Sequence, residues 1–253
     1  MLARGSAEPH EVVFLKYRQG DDASSLARLE VEAMRLAAGA MHGRVRTPAC
    51  LGTVFEHDRS AVCLEYAGGR TLASLQGAAA YWADVFLVID WCVKSAGLRV
   101  DHAESAREFG VRDLSSVAAP ALCHGDLGPM NLIVRAADVV VVDWEHACVT
   151  HPLADAMHLL LLCLIQAESL SIGQAVAVLT GETPDVSRRA RAAVSRLLAA
   201  LPVRGDRVAA LRCMAAMAVD RETGRTPSQR VAGESPSADW WRAVGATIEP
   251  HAR

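Results

Sequence analysis

The sequence predicts an α+β protein of two unequal lobes, a small N-terminal α/β lobe over residues 1–68 and a larger helical lobe over residues 69–253. Two observations lead there. The first seventy residues alternate short β-branched runs with a single helical period, and beyond Gly68 and Gly69 most apolar stretches have helical period and length. Hydrophobic residues make up 51% of the 253, enough to bury a sizeable core.

Taken in order, "EVVFLKY" (11–17) has a β-branched and aromatic centre and reads as a buried strand with Lys16 near its end. "DDASSLARLEVEAMRLAAG" follows as a helix, with Asp and Ser at its entrance, Leu26, Leu29, Ala33, Leu36 and Ala37 on one face, and Gly39 as its stop. "RTPACLGTVFEHDRSAVCLEYAGG" gives two strands around the polar turn "EHDRS". Helices are then expected over "AAAYWADVFLVIDWCVKSAG", "HPLADAMHLLLLCLIQAESL", "SRRARAAVSRLLAAL" and "GDRVAALRCMAAMAVD". Residues 221–239, polar and rich in Gly, Pro and Ser, read as a long loop before a closing "WWRAVGATIEP".

The net charge of -3 and a pI near 6.3 provide no field to gather nucleic acid or an anionic membrane, so neither partner is expected. The strongest apolar run, "MHLLLLCLI", is about half of a bilayer span, and the N-terminus lacks the apolar core of a signal peptide. Seven scattered cysteines without a C-x-x-C suggest small buried hydrophobes rather than a disulfide framework or a zinc site. A cytoplasmic, reducing location is the expectation.

The chemistry lies in "CHGDLGPMNLIV" (123–134) and "VVVVDWEHA" (139–147). His124, Asp126 and Asn131 break the apolar pattern, and a buried strand then runs into Asp143. Two carboxylates and a carboxamide form a set of hard oxygen ligands suited to Mg²⁺, and one of the carboxylates can instead accept a proton from a substrate hydroxyl. Lysine is rare in this Arg-rich chain: among 26 basic residues only Lys16 and Lys94 are lysines. That favours a role for Lys16 in which a compact ammonium works and a wide guanidinium does not.

"H-G-D-L-G-P-M-N" with "D-W-E" resembles the aminoglycoside phosphotransferase and choline kinase-like family, whose fold is protein-kinase-like. The resemblance extends to "EVVFLKY" as the family's lysine strand, "LARLEVEAMRL" as the helix whose Glu holds that lysine, "AVCLEYAGGRTL" as the hinge, and "HPLADAMHLL" as the segment after the catalytic loop. It implies Asp126 as catalytic base or hydroxyl-orienting residue, with His124 supporting the catalytic loop. It implies Asn131 and Asp143 as Mg²⁺ ligands, Lys16 as the contact to the α- and β-phosphates, and the backbone of Glu65, Tyr66 and Ala67 as the hinge for the base. The activity implied is transfer of the γ-phosphoryl group of ATP, with GTP also admitted, to a hydroxyl of a small molecule. Asp155 is read as a brace of the catalytic loop, and Glu145 as either a metal or water contact or a solvated side chain.

The partner of Lys16 is open on periodicity, since Glu30 and Glu32 both flank the apolar face of their helix. The family's Glu-x-x-x-Leu pattern favours Glu32 with Leu36. The alternative for Glu32 is a surface pairing with Arg28 or Arg35.

Only fifteen residues precede Lys16, which leaves room for at most one short strand and a turn where relatives have two strands and a phosphate-covering loop. Either the start lies upstream, or the N-terminal lobe is abbreviated and binds nucleotide weakly, or the chain is a catalytically reduced relative that acts by binding; the presence of Asp126, Asn131, Asp143 and Lys16 together favours an enzyme. A metal hydrolase built on His124, Asp126, His146 and His151 lacks the usual zinc signatures, and a protein kinase lacks its H-R-D, D-F-G and A-P-E triplets. Residues 156–253 carry twelve Arg against nine acidic residues, which weighs mildly against a polycationic substrate, although Asp220, Glu222, Glu234 and Asp239 could converge.

Overall fold

The computed structural model describes residues 12–39, 43–95, 120–182, 185–224 and 237–252. The short strand and turn expected within residues 3–11 lie outside them.

The described residues open with β1 (Val13–Gln19), α1 (Ala23–Ala38), β2 (Val45–Arg46), β3 (Cys50–Phe55) and β4 (Arg59–Glu65). Strands β1, β4 and β3 form an antiparallel sheet in that order, with Lys16 opposite Val62. On β4, Ser60, Val62 and Leu64 alternate inward, and α1 packs against this strand. The expected stripe of α1 is displaced. Ala23, Ala27, Glu30, Ala33, Met34 and Ala37 are buried, while Leu26 is exposed. Small side chains let the helix lie close to the sheet, and packing density outweighs the hydropathy of single leucines. β1 is likewise less buried than its composition suggests, with Phe14 and Tyr17 exposed. A three-stranded sheet covered by one helix leaves half its side chains wet, and Phe14 lies at a cavity instead of in the core.

After Gly68 and Gly69 the chain forms β5 (Arg70–Thr71), a short 3₁₀ turn and α2 (Tyr81–Ser95). Gly69, at φ +139, has no room for a side chain, because a Cβ would stand 2.6 Å from the Val134 carbonyl oxygen. Four short strands follow: β6 (Ala121–Cys123), β9 (Cys148–Thr150) and, between them, the hairpin of β7 (Leu132–Val134) and β8 (Val139–Val141). A four-stranded sheet in the order β2-β8-β7-β5, with β2 parallel to β8, joins the first seventy residues to the motif segment. β6 pairs with β9 and brings Cys123 opposite Cys148.

The helical part is built around α3 (Ala154–Ala167), in which every residue from Ala154 to Leu164 is buried. A helix apolar on all sides belongs at the centre, and α2, α4 (Ile172–Thr180), α5 (Arg188–Ala200) and α6 (Arg204–Gly224) all touch it. α7 (Ala238–Ile248) closes against α4 and α6. α4 is an addition to the expected elements. It begins with a capping box between Ser171 and Gln174 and ends at Gly181 with φ +97. α6 also runs four residues past the expected end at Asp220, so Arg221 and Glu222 belong to a helix and are buried. Of the seven cysteines, all free, Cys92, Cys123, Cys148, Cys163 and Cys213 are buried, Cys63 is half-buried and Cys50 is exposed.

Candidate active site

Alternation along β1 puts Lys16 and Arg18 on one face, toward α1 and the segment after β8. The Lys16 ammonium donates to Glu30 Oε1 at 3.1 Å, pairs with Glu145 Oε2 at 3.0 Å and makes a short contact with Asp143. Arg18 Nη2 donates to Glu30 Oε2 at 2.6 Å and to the same Glu145 oxygen at 2.9 Å. Two cations and three carboxylates thus share one cluster. Burial would push the Lys16 ammonium down, but Asp143, Glu30 and Glu145 together outweigh it, and its pKa lies above the ordinary lysine value. Burial would raise Glu145, but Lys16, Arg18 and His146 hold it down at about 2.

The choice of Glu32 as the partner of Lys16 is corrected by this geometry. Glu32 is bonded within α1 to Arg35, at 2.7 and 2.5 Å, on the solvent side. Glu30 is wholly buried and takes Lys16 on one oxygen and Arg18 on the other. A buried carboxylate is tolerated only with such partners, so the second cation, Arg18, explains why the helix turns Glu30 inward.

A cavity of about 490 Å³ opens beside the cluster. Its apolar walls come from Phe14, Pro48, Leu64, Ile133 and Val142, its rim is the stretch Glu65–Gly69, and its polar end carries Lys16, Glu30, Asn131, Asp143 and Glu145. That combination suits a flat apolar group with a charged tail. The rim is held from outside. Arg46 clasps Glu65 through two bonds of 2.7 and 2.6 Å and reaches Asp138 at 2.8 Å, while Arg135 donates to the Ala67 carbonyl oxygen at 3.2 Å. Glu65 N also donates to Ala49 O at 2.8 Å. Tyr66 is about half exposed at the rim.

The motif loop leaves β6 at Cys123 and is tied to α3. Asp155 accepts from His124 N at 2.5 Å and from Gly125 N at 3.1 Å. Burial raises the Asp155 pKa against those bonds. The loop-bracing role read for Asp155 has this geometry behind it. Gly125, at φ +82, is irreplaceable on space alone, since a Cβ would stand 1.9 Å from the His146 carbonyl oxygen. His124 is fully buried against Trp144; its Nδ1 accepts from Asp126 N at 3.2 Å, which leaves Nε2 to donate to Val142 O at 2.8 Å. It therefore braces the loop from within and lines no part of the cavity.

Asn131 donates Nδ2 to Asp126 O at 2.9 Å, so its carboxamide oxygen is the atom left to act as a ligand. Val142 N donates to Asn131 O at 3.0 Å and ties the loop to the segment carrying Asp143. Asp143 itself is left-handed, φ 68 and ψ 59. Strained non-glycine backbone of this kind concentrates at functional sites.

Asp126 stands beside the cavity rather than in its wall, and its carboxylate pairs with a residue the sequence reading put in a loop. Arg221 Nη1, from the last turn of α6, makes a short contact with Asp126 Oδ1 and donates to Gly125 O at 3.3 Å, while its Nε donates to Glu222 Oε1 at 3.0 Å. The signal was present. Leu211, Met214, Ala218, Arg221 and Glu222 recur at helical spacing, so the inward face of α6 continues through the two charged residues. Of the acidic residues expected to converge, Glu222 is spent on Arg221 and Asp239 pairs with Arg242, while Glu234 lies outside the described residues.

Among the described residues, no group of three or more His, Cys, Asp or Glu has the arrangement of a metal centre. The donor chemistry nevertheless fits Mg²⁺ shared with a phosphate. Asp143 and Glu145 converge on one cation, the Lys16 ammonium, and Asn131 lines the same cavity.

Residues 79–190 match the family model described as the phosphotransferase enzyme family, a span that contains the motif loop, Asp143 and Asp155. No curated protein matches by sequence. Among solved structures, the gentamicin complex of APH(2'')-IIa is 13% identical with a TM-score of 0.52, covering 95% of this chain and 84% of that one. Aminoglycoside phosphotransferase APH(3'')-Id from Streptomyces rimosus, solved with ADP and streptomycin, is 12% identical with a TM-score of 0.51, covering 100% and 92%. Amicoumacin kinase hAmiN, solved with AMP-PNP, Ca²⁺ and its ligand, is 11% identical with a TM-score of 0.51, covering 96% and 82%. The resemblance to the aminoglycoside phosphotransferase family is thereby shown, in sequence over residues 79–190 and in the kinase-like α+β fold of the described residues.

Proposed function

We propose that this chain transfers the γ-phosphoryl group of ATP to a hydroxyl of a small molecule, its two lobes, residues 1–68 and 69–253, enclosing one site. The observation that carries the reading is the convergence of Lys16, Asp143 and Glu145 at an apolar cavity that Asn131 also lines, with Asp126 one hydrogen bond from Asn131.

Glu30 holds the Lys16 ammonium where it meets the α- and β-phosphates. The rim from Glu65 to Ala67 takes the base. Asn131 and Asp143, with Glu145, would hold Mg²⁺, which when bound neutralises charge developing on the phosphates. Asp126 orients the acceptor hydroxyl and accepts its proton as the oxygen bonds to the γ-phosphorus. The neighbouring folds were solved with ADP, with AMP-PNP and, in another case, with GDP, so guanine nucleotides belong in the test alongside adenine ones.

A second reading, nucleotide binding without transfer, is favoured by one observation: the carboxylates of Asp126 and Asp143 are both engaged by cations of the chain itself. Thermal-shift titration with ATP, GTP and non-hydrolysable analogues, with and without Mg²⁺, followed by a screen of hydroxylated small molecules for phosphorylation, separates the two. Phosphoryl transfer requires a metal-dependent shift and a phosphorylated product; a shift without any product supports the second reading. Asp126→Ala should abolish turnover and spare nucleotide binding, while Asp143→Ala should remove the metal dependence of binding. Wild-type turnover by the Asp126 variant rejects its assigned role. Among the described residues no helix is long and apolar enough to cross a membrane, and a cytoplasmic location forms part of the proposal.

A further inference from the structure

Resting on that reading, we infer that Arg221 is a positioning residue for phosphoryl transfer: it fixes the carboxylate of Asp126 from the last turn of α6. Its side chain is 2% exposed, and a buried guanidinium is tolerated only where its N–H groups and its charge are met. Here the motif loop and the next residue of α6 supply the opposite charge and three acceptors. Nη1 serves Asp126 Oδ1 and Gly125 O, and Nε serves Glu222 Oε1.

The loop is thus clamped from two helices. Asp155 on α3 takes its backbone N–H groups at His124 and Gly125, and Arg221 on α6 takes the Gly125 carbonyl and the Asp126 carboxylate. The first clamp sets the path of the loop. The second sets the rotation of one side chain, the one that must meet the acceptor hydroxyl. A guanidinium performs this as a rigid fork, whereas an ammonium on a flexible stem would hold the charge without the angle. α6 lies against α3 and α7, so the clamp is anchored in the body of the helical lobe.

Hydrolysis of Mg·ATP tests the inference without an identified acceptor. Water replaces the hydroxyl: its oxygen bonds to the γ-phosphorus, the bond to the β–γ bridging oxygen breaks with its electron pair leaving on ADP, and the water proton passes to Asp126. Turnover and calorimetric Mg·ATP affinity are measured for the full chain and for Arg221→Met, Arg221→Lys, Asp126→Asn and the Asp126→Asn/Arg221→Met pair.

For Arg221→Met, kcat should fall on the order of 10²-fold, the scale of a misplaced catalytic group, with KM and Kd for Mg·ATP changed by less than about twofold. Arg221→Lys should recover only part of the rate. The double variant should be no slower than Asp126→Asn alone, because Arg221 acts through Asp126. Since Arg221→Met leaves the buried Glu222 and the half-buried Asp126 without their cation, Arg221→Met/Glu222→Gln is carried as a second variant with the buried charge relieved, and it should show the same loss of kcat.

Unchanged kcat in a folded Arg221 variant overturns the inference. So does a double variant slower than Asp126→Asn by the full factor of Arg221→Met, or a loss of Mg·ATP affinity matching the loss of rate. Failure of the underlying reading looks different: the wild-type chain would then bind no Mg·ATP, or hydrolyse it no faster than Asp126→Asn.

Discussion

Replacing Glu30 by Gln isolates the one buried carboxylate that holds the cluster on β1. Its two oxygens accept from Lys16 at 3.1 Å and Arg18 at 2.6 Å, and the residue has no exposed surface. Gln keeps the shape and one acceptor but removes the charge. Breaking a buried ion pair from one side costs about 3–5 kcal/mol. Asp143 and Glu145 remain to balance Lys16 and Arg18, which places Glu30→Gln at the low end, about 3 kcal/mol. For a chain of this size that corresponds to about 6–12 °C in melting temperature. Glu32→Gln is the control: it removes a solvent-side pairing with Arg35 and should leave the melting curve unchanged. Differential scanning calorimetry of the two variants decides the matter, and the rise in melting temperature on adding Mg·ATP should survive in Glu32→Gln and shrink in Glu30→Gln. Equal melting temperatures for Glu30→Gln and the wild-type chain, or a larger fall for Glu32→Gln, would refute the assignment of the lysine partner.

Gly125→Ala should destabilise the chain by about 3 kcal/mol and abolish turnover, since its Cβ would meet a carbonyl oxygen at 1.9 Å with φ at +82, and denaturant unfolding measures the cost. Because Glu145 is held at about 2 in the folded chain against an ordinary 4.5, its contribution to stability is complete above pH 4.5 and is lost as the pH falls toward 2. Wild-type and Glu145→Gln melting temperatures should therefore differ most above pH 4.5 and converge below it; a constant gap down to pH 2 argues against the ion pairs. A thiol reagent should modify Cys50 first and leave the five buried cysteines untouched until denaturant is added, as intact mass reports.

The motif loop was legible because its chemistry is local: His124, Asp126, Asn131 and Asp143 sit at fixed spacing along one stretch of chain, and their neighbours Gly125 and Asp155 serve the same turn. Lys16 was legible from its rarity. Glu30 was not, because hydropathy counts a glutamate as an outward residue, and only Lys16 and Arg18 on a different element turn it inward. The face of α1 slid for a related reason: close packing on β4 selects alanine over leucine, a preference that period alone does not carry. Arg221 and Glu222 were lost in the same way, since two charged residues at the end of an apolar helix look like the start of a loop until Asp126, the partner of Arg221, is brought from 95 positions away. α4 escaped because Gly173 and the short run of nine residues weaken its helical signal.

The cluster on β1 also bears on how ligands enter. Lys16 already pairs with Asp143 and Glu145, and Arg18 with Glu145, so in the proposed reaction a metal ion and a triphosphate exchange with existing partners. A divalent cation reaching the two carboxylates would leave Lys16 and Arg18 on Glu30 alone, and phosphate oxygens reaching those cations would free the carboxylates. Each ligand removes the competitor of the other. Reciprocity of linked equilibria then requires that the metal tighten the nucleotide by the same factor by which the nucleotide tightens the metal.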